Sequence, residues 1–463
     1  MTRTLTWQSR WRITLSLLLT VLVLGVVPLW GVVAHSASNH QWPGAFAVSW
    51  RGRFYHLLRS GVQPPPTDQQ CRQQFGIPCY SPQEMQNAYD LTPVLNAGFT
   101  GKGQTIVIID SFGSPTIKDD LHAFDQGYGL PDPPLFKVLA PLGTINFNSS
   151  NADMVGWAFE STLDVEWAHA MAPDANIILM TSPVDETEGV QGLPEFLYLE
   201  RLAVKSHLAN IISQSWGATE NTLFTFGGRQ LLKSFNDFYR QAAAAHVTVF
   251  ASAGDAGVAN VNINGQIYPF PTVNFPASSP YVTAVGGTTL MADTSGNYQS
   301  EVVWNDGPGS ATGGGVSQFF AEPAYELGLP SSDQQILNGF RGLPDIAYNA
   351  DPNTAILVYA SFLGGNQVGW YFIGGTSEGS PQWSGIIADG NQMAGHPLGF
   401  LNPMLYQIGE GANYAQDFHD ITQGNNSQGS IQGYNATPGW DPCTGWGSPQ
   451  AANLLQDLIK LSR

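Results

Sequence analysis

Five short apolar runs, at 103–110, 176–180, 210–215, 247–252 and 281–285, alternate with segments of helical periodicity near 156–171, 195–208 and 228–245. Few architectures accept such an order, because strands that are apolar throughout must be covered on both faces. A parallel sheet with helices on either side is the expectation. In sheets of this kind the reactive groups collect at the carboxyl ends of strands. Asp110, Ser215 and Asp255 all fall at such ends. A chain of 463 residues with 43% hydrophobic content can bury a full core, and the length permits one large α/β domain or two smaller ones.

The stretch Gly374-Gly-Thr-Ser-Glu-Gly-Ser-Pro381 lies between an apolar run at 368–373 and an apolar-periodic segment at 382–388. It reads as strand, glycine turn and helix start, which sets the Ser377 hydroxyl near the positive end of a helix. Serines at such turns are most often caps, so chemistry needs a base as well. A histidine-based arrangement would have to use Asp110 with His122 or His169, and neither histidine is followed by the Gly-Thr that such a base usually carries. The segment Phe159-Glu-Ser-Thr-Leu-Asp-Val-Glu-Trp-Ala-His169 offers acids instead. On a helix Glu160 and Asp164 are i and i+4, so both carboxyls share one face.

Four motifs occur in order between Tyr80 and Pro449: Glu160-x-x-x-Asp164, Ser252-Ala-Gly-Asp255, Gly375-Thr-Ser377 with Pro381, and Asp420-Ile421 with Gly439-Trp-Asp441. Together they resemble the sedolisin, or serine-carboxyl peptidase, family. The resemblance implies a subtilisin-like fold, a single large α/β domain over 80–463, and hydrolysis of protein or peptide substrates in acid through an acyl-enzyme. Ser377 would be the nucleophile, Glu160 the base and Asp164 its carboxyl partner. Asp255 would donate to the oxyanion, which an aspartate can do only when protonated. Asp110 would support this network, and 213–217 would line the first side-chain pocket. The resemblance also implies a Ca2+ site made by Asp420, Asp441 and the carbonyls of Ile421, Thr437 and Gly439, a donor set suited to a hard cation. Two departures stand out. Thr437 replaces a frequent glycine, and Glu378 follows the nucleophile where a small or apolar residue is usual.

Charge narrows the partners. With 36 acidic and 18 basic residues the net charge is −18, which argues against nucleic acid. Residues 1–38 carry Arg3, Arg10 and Arg12 ahead of an uncharged apolar run at 13–34, longer than the roughly 7–15 residues of a signal core and near the about 20 of a membrane span. A signal peptide and a single membrane anchor are both open, and either places the rest of the chain outside the membrane. In that compartment a local disulfide between Cys71 and Cys79 is expected, leaving Cys443 as a buried, inert thiol. Residues 39–79, with Pro64-Pro-Pro66 and Gln-rich sequence, read as a linker with no room for a long pro-domain. A monomer is expected. The alternative from another class is an exported or membrane-tethered homologue that binds without turnover.

Overall fold

Each apolar run forms a strand, and neighbouring strands lie parallel. A computed structural model describes residues 47–50, 53–61 and 64–463. The central sheet runs Tyr298–Val303, Thr283–Ala292, Thr248–Ser252, Ile211–Ser213, Thr105–Ser111, Asn176–Ser182, Phe136–Leu139. Only the edge pair Thr283–Ala292 with Tyr298–Val303 is antiparallel among these neighbours. Ile346–Asn349 adds a further parallel partner to Thr283–Ala292. Helices Ala152–Met171 and Gly379–Ala394 pack together against the sheet, and Leu193–Lys205 and Phe226–Ala244 form a second pair packed against it. This is the predicted subtilisin-like α/β architecture.

Helix Ala152–Met171 has no solvent-facing stripe. Every residue from Met154 to Met171 is buried, acids included, as expected of a helix enclosed on all sides. Its closeness to helix Gly379–Ala394 depends on a glycine. A Cβ at Gly385 would lie 2.5 Å from the Met171 Cβ and 3.0 Å from the Ala168 carbonyl oxygen, so no larger residue fits without parting the helices.

The linker reading of 39–79 needs correction wherever that stretch is described. Arg53–Ser60 is a strand that pairs antiparallel with Gly369–Ile373, the strand leading to Ser377. Asp68–Phe75 is a helix, closed by a capping box between Thr67 and Gln70. Cys79–Tyr80 then pairs with Ala355–Ala360, and the expected Cys71–Cys79 disulfide ties helix to strand. Cys443 is buried, as expected, and its thiol is pushed well up by desolvation. The leader call on 1–38 lies outside the described residues. Among the described residues no helix is long and apolar enough to cross a membrane.

The tight helix pair yields a stability test. Gly385→Val should cost about 1–3 kcal/mol through overpacking, read as a lower urea midpoint, whereas an exposed glycine such as Gly395→Asn should change little.

Candidate active site

Strand Gly369–Ile373 ends at Gly374, a 3-10 turn covers Thr376–Glu378, and the helix begins at Gly379. The turn is pinned from several sides. The Gly375 N–H donates to the Ala350 carbonyl at 2.6 Å. The Ser380 hydroxyl accepts from the Gln214 N–H at 3.2 Å and lies 2.9 Å from the Ser213 hydroxyl. The resulting short helical N-terminus leaves Ser377 fully buried beside it.

Asp255 is brought directly to this turn. Its Oδ1 accepts from the Thr376 N–H and from the Thr376 hydroxyl, each at 2.8 Å. The Gly254 N–H donates to that same hydroxyl at 3.0 Å, so the hydroxyl proton is committed to Asp255. With Oδ1 an acceptor twice over, a proton on Asp255 belongs on Oδ2. Gly375 makes this approach possible: its φ is 123° and a Cβ there would stand 2.8 Å from Asp255 Oδ2. Asp255 lines a cleft of ≈ 910 Å3, together with Ser215, Trp216 and Gly217 from the predicted pocket segment and Trp157 on another wall.

The helix Ala152–Met171 that carries Glu160 and Asp164 packs against this turn. Both acids are fully buried. Ser215 links the two parts: its hydroxyl donates to Asp164 Oδ1 at 2.9 Å and lies 3.5 Å from the Ser377 carbonyl oxygen. Glu166, on the same helix, accepts from the Tyr359 N–H at 3.0 Å and is pushed well above the carboxylate range by burial. Asp110 is buried in the last turnward part of Thr105–Ser111, opposite Thr181.

Both histidines that a different triad would need are engaged elsewhere. His122 is half-exposed and sits 2.7 Å from Asp132. His169 meets the Pro131 carbonyl at 2.8 Å and lies 3.3 Å from Asp125. Sequence reasoning did not single out Thr376, although it stands inside a quoted motif, because its partner is 121 residues away. Ser215 was read as lining a pocket and also bridges Asp164 to the turn of Ser377.

The C-terminal segments around Asp420 and Asp441 meet at the 437–441 loop. The Gly439 N–H donates to both oxygens of Asp420 at 3.2 Å. Asp441 Oδ2 accepts from the Thr437 N–H at 3.1 Å, and its Oδ1 from Cys443 N–H at 2.8 Å. Burial first, then the Asp420 and Asp441 carboxylates, pushes the Tyr414 hydroxyl well up. Desolvation raises Asp420 and lifts Asp441 to about 7 against the opposing backbone N–H groups. Among the described residues no hydrogen-bond donor takes the carbonyls of Ile421, Thr437 or Gly439. Two desolvated carboxylates and three open carbonyls fit a hard cation. Three or more His, Cys, Asp or Glu groups do not cluster as metal ligands among the described residues, so carbonyls would have to complete any shell.

A buried serine at a helix start, with a helix carrying two buried acids packed against its turn, stands on the sheet expected of a serine-carboxyl peptidase scaffold. No family model matches the sequence. The chain is 36% identical to kumamolisin of Bacillus sp. (strain MN-32) over 395 residues, 84% of this chain and 66% of that protein. It is 33% identical to sedolisin of Pseudomonas sp. (strain 101) over 387 residues, 81% of this chain and 60% of that one. A solved structure of Pseudomonas sedolisin, a serine-carboxyl proteinase complexed with two molecules of pseudo-iodotyrostatin, aligns with a TM-score of 0.69 at 30% identity, covering 84% of this chain and all of that one. The chain belongs to the sedolisin family. It spans 60% to 66% of the length of these two curated relatives.

The Thr376 clasp generates a kinetic test. Thr376→Val keeps the shape and removes the hydroxyl that orients Asp255, so kcat on a peptide should fall about tenfold with KM little changed. An unchanged kcat would remove Thr376 from the account.

Proposed function

We propose that the chain is a serine peptidase that works in acid, cleaving proteins or peptides outside the cell. The observation that carries this reading is the clasp of Asp255 by Thr376 next to Ser377, with carboxyls rather than a histidine behind the serine. Its likeness to a serine-carboxyl proteinase supports it. Ser377 Oγ attacks the carbonyl carbon while Glu160 takes the hydroxyl proton. Asp164, sharing a proton with Glu160 and held by Ser215, orients it. The oxyanion receives the Asp255 Oδ2 proton as a hydrogen bond. The C–N bond then breaks, the amine leaves with the proton from Glu160, and water repeats the sequence on the acyl-enzyme. The buried position of Asp110 at its strand end, near the level of Asp255 and Ser215, suits support of this carboxyl network.

The pH dependence follows from the chemistry. Asp255 donates only when protonated, and a pair sharing one proton stops working once both carboxyls ionise. Cleavage of a denatured protein between about pH 2.5 and 8 should therefore be confined to acid. Ser377→Ala should abolish it, with a loss of 10³-fold or more expected from other serine nucleophiles, roughly. Folded protein that cleaves nothing at any pH would return the binding role to favour.

Calcium belongs to the same proposal. Asp420, Asp441 and the carbonyls of Ile421, Thr437 and Gly439 would hold it, and it would supply neutralising charge that locks these two loops together. Added calcium should raise the melting temperature of the wild type, with stabilisation growing as RT ln(1 + [L]/Kd). Asp441→Asn should remove that response, and a wild type indifferent to calcium and to chelator would contradict the site.

A further inference from the structure

Glu378 follows the nucleophile directly, and it does not face solvent. It is fully buried, and its Oε2 accepts from the Asn349 Nδ2 at 3.1 Å. The orientation of that amide is fixed by its other bonds. Asn349 Oδ1 accepts from the Leu290 N–H at 3.1 Å and the Thr354 hydroxyl at 2.8 Å, so Nδ2 must donate, as it also does to the Thr354 carbonyl at 2.8 Å. Oε2 is therefore an acceptor. Glu378 Oε1 is buried with no hydrogen-bond partner among the described residues, which makes it the atom able to carry a proton.

Among the described residues, the helices and strands that pack most closely on the turn supply no counter-charge. The Asp351 and Asp255 carboxylates both disfavour a charge on Glu378, and Glu378 in turn raises Tyr348 on Ile346–Asn349, after burial. The elements packed against Thr376–Glu378 are helices Ala152–Met171 and Gly379–Ala394 and strands Thr283–Ala292 and Ile346–Asn349. They hold neither lysine nor arginine. The helix of Glu160 and Asp164 contributes further acids, and its histidine, His169, stands at its far end beside Asp125.

We propose that Glu378 is a positioning residue: as a neutral acid held by Asn349 it braces the Ser377 turn, and its ionisation stops turnover by setting a buried negative charge beside Asp255. Desolvation first, with Asp351 and Asp255 adding to it, keeps this carboxyl protonated well above its ordinary range. An anion here would oppose the oxyanion that Asp255 must stabilise. The inference rests on the peptidase reading, but part of it is measurable without activity. A buried acid that stays neutral in the folded state and ionises near 4.5 when unfolded leaves stability intact below that pH. Stability then declines as pH rises toward the folded-state value.

The test compares full-length wild type with Glu378→Gln in two measurements. In the pH profile of kcat/KM, the variant should match wild type in acid within about twofold, and its basic limb should move toward neutral pH by at least about half a unit. In urea denaturation across pH, the wild type should lose stability above about 4.5 and the variant should lose clearly less. Superimposed basic limbs, or identical stability curves, would overturn the inference. If Glu378→Gln does not fold, Glu378→Met fills the same space without charge; it should show the same displaced limb, with lower turnover because the Asn349 bond is gone. Should neither protein cleave any peptide, the peptidase reading fails, and the stability curves alone decide whether Glu378 is held neutral.

Discussion

Two hydrogen bonds from Thr376 to a single oxygen of Asp255 join segments 121 residues apart. Much of the architecture serves that junction. The parallel sheet delivers Asp255 just past the end of Thr248–Ser252, and the smaller sheet delivers Ser377 past the end of Gly369–Ile373. Neither strand pairs with the other, so their relative position is set by the turn, by Ser380 against Ser213 and Gln214, and by the helix pair that meets at Gly385. A displacement of 1 Å would break the clasp, since hydrogen bonds at 2.8 Å tolerate little stretching.

The second constraint is an interior full of acids with few cations. Glu160, Asp164, Glu166, Asp110 and Glu378 are all fully buried. Burial disfavours the charged form of a carboxyl unless a cation or several donors offset it. For Glu166 and Glu378 the direction is plainly upward. An interior of this kind suits a chain working where carboxyls are protonated, and the scarcity of lysine and arginine limits repulsion at the same pH. The two histidines considered as bases, His122 and His169, are paired with Asp132 and Asp125.

Much of this was legible in the sequence, for local reasons. The apolar runs are strands because their side chains are buried on both faces, and the i, i+4 spacing of Glu160 and Asp164 needs only a helix to bring the acids together. Asp255 was legible through its motif, since nothing local separates it from an ordinary turn-forming aspartate. Residues 53–60 escaped because their sequence, Arg-Phe-Tyr-His-Leu-Leu-Arg-Ser, lacks alternation and gains strand structure from a partner near residue 370. The helix start at Thr67 and Gln70 has a capping-box pattern that the linker reading did not use. The roles of Thr376, Ser215 and Asn349 depend on contacts across the fold, which no window of sequence contains.

The central claim is that carboxyls activate Ser377. Its most direct test is intact-mass detection of an acyl adduct after reaction with an activated ester, across acid and neutral pH, for wild type and Glu160→Gln. The account predicts one adduct on Ser377, formed in acid by the wild type and absent or greatly slowed in the variant. An adduct formed best at neutral pH, retained in Glu160→Gln and lost on histidine modification, would contradict it.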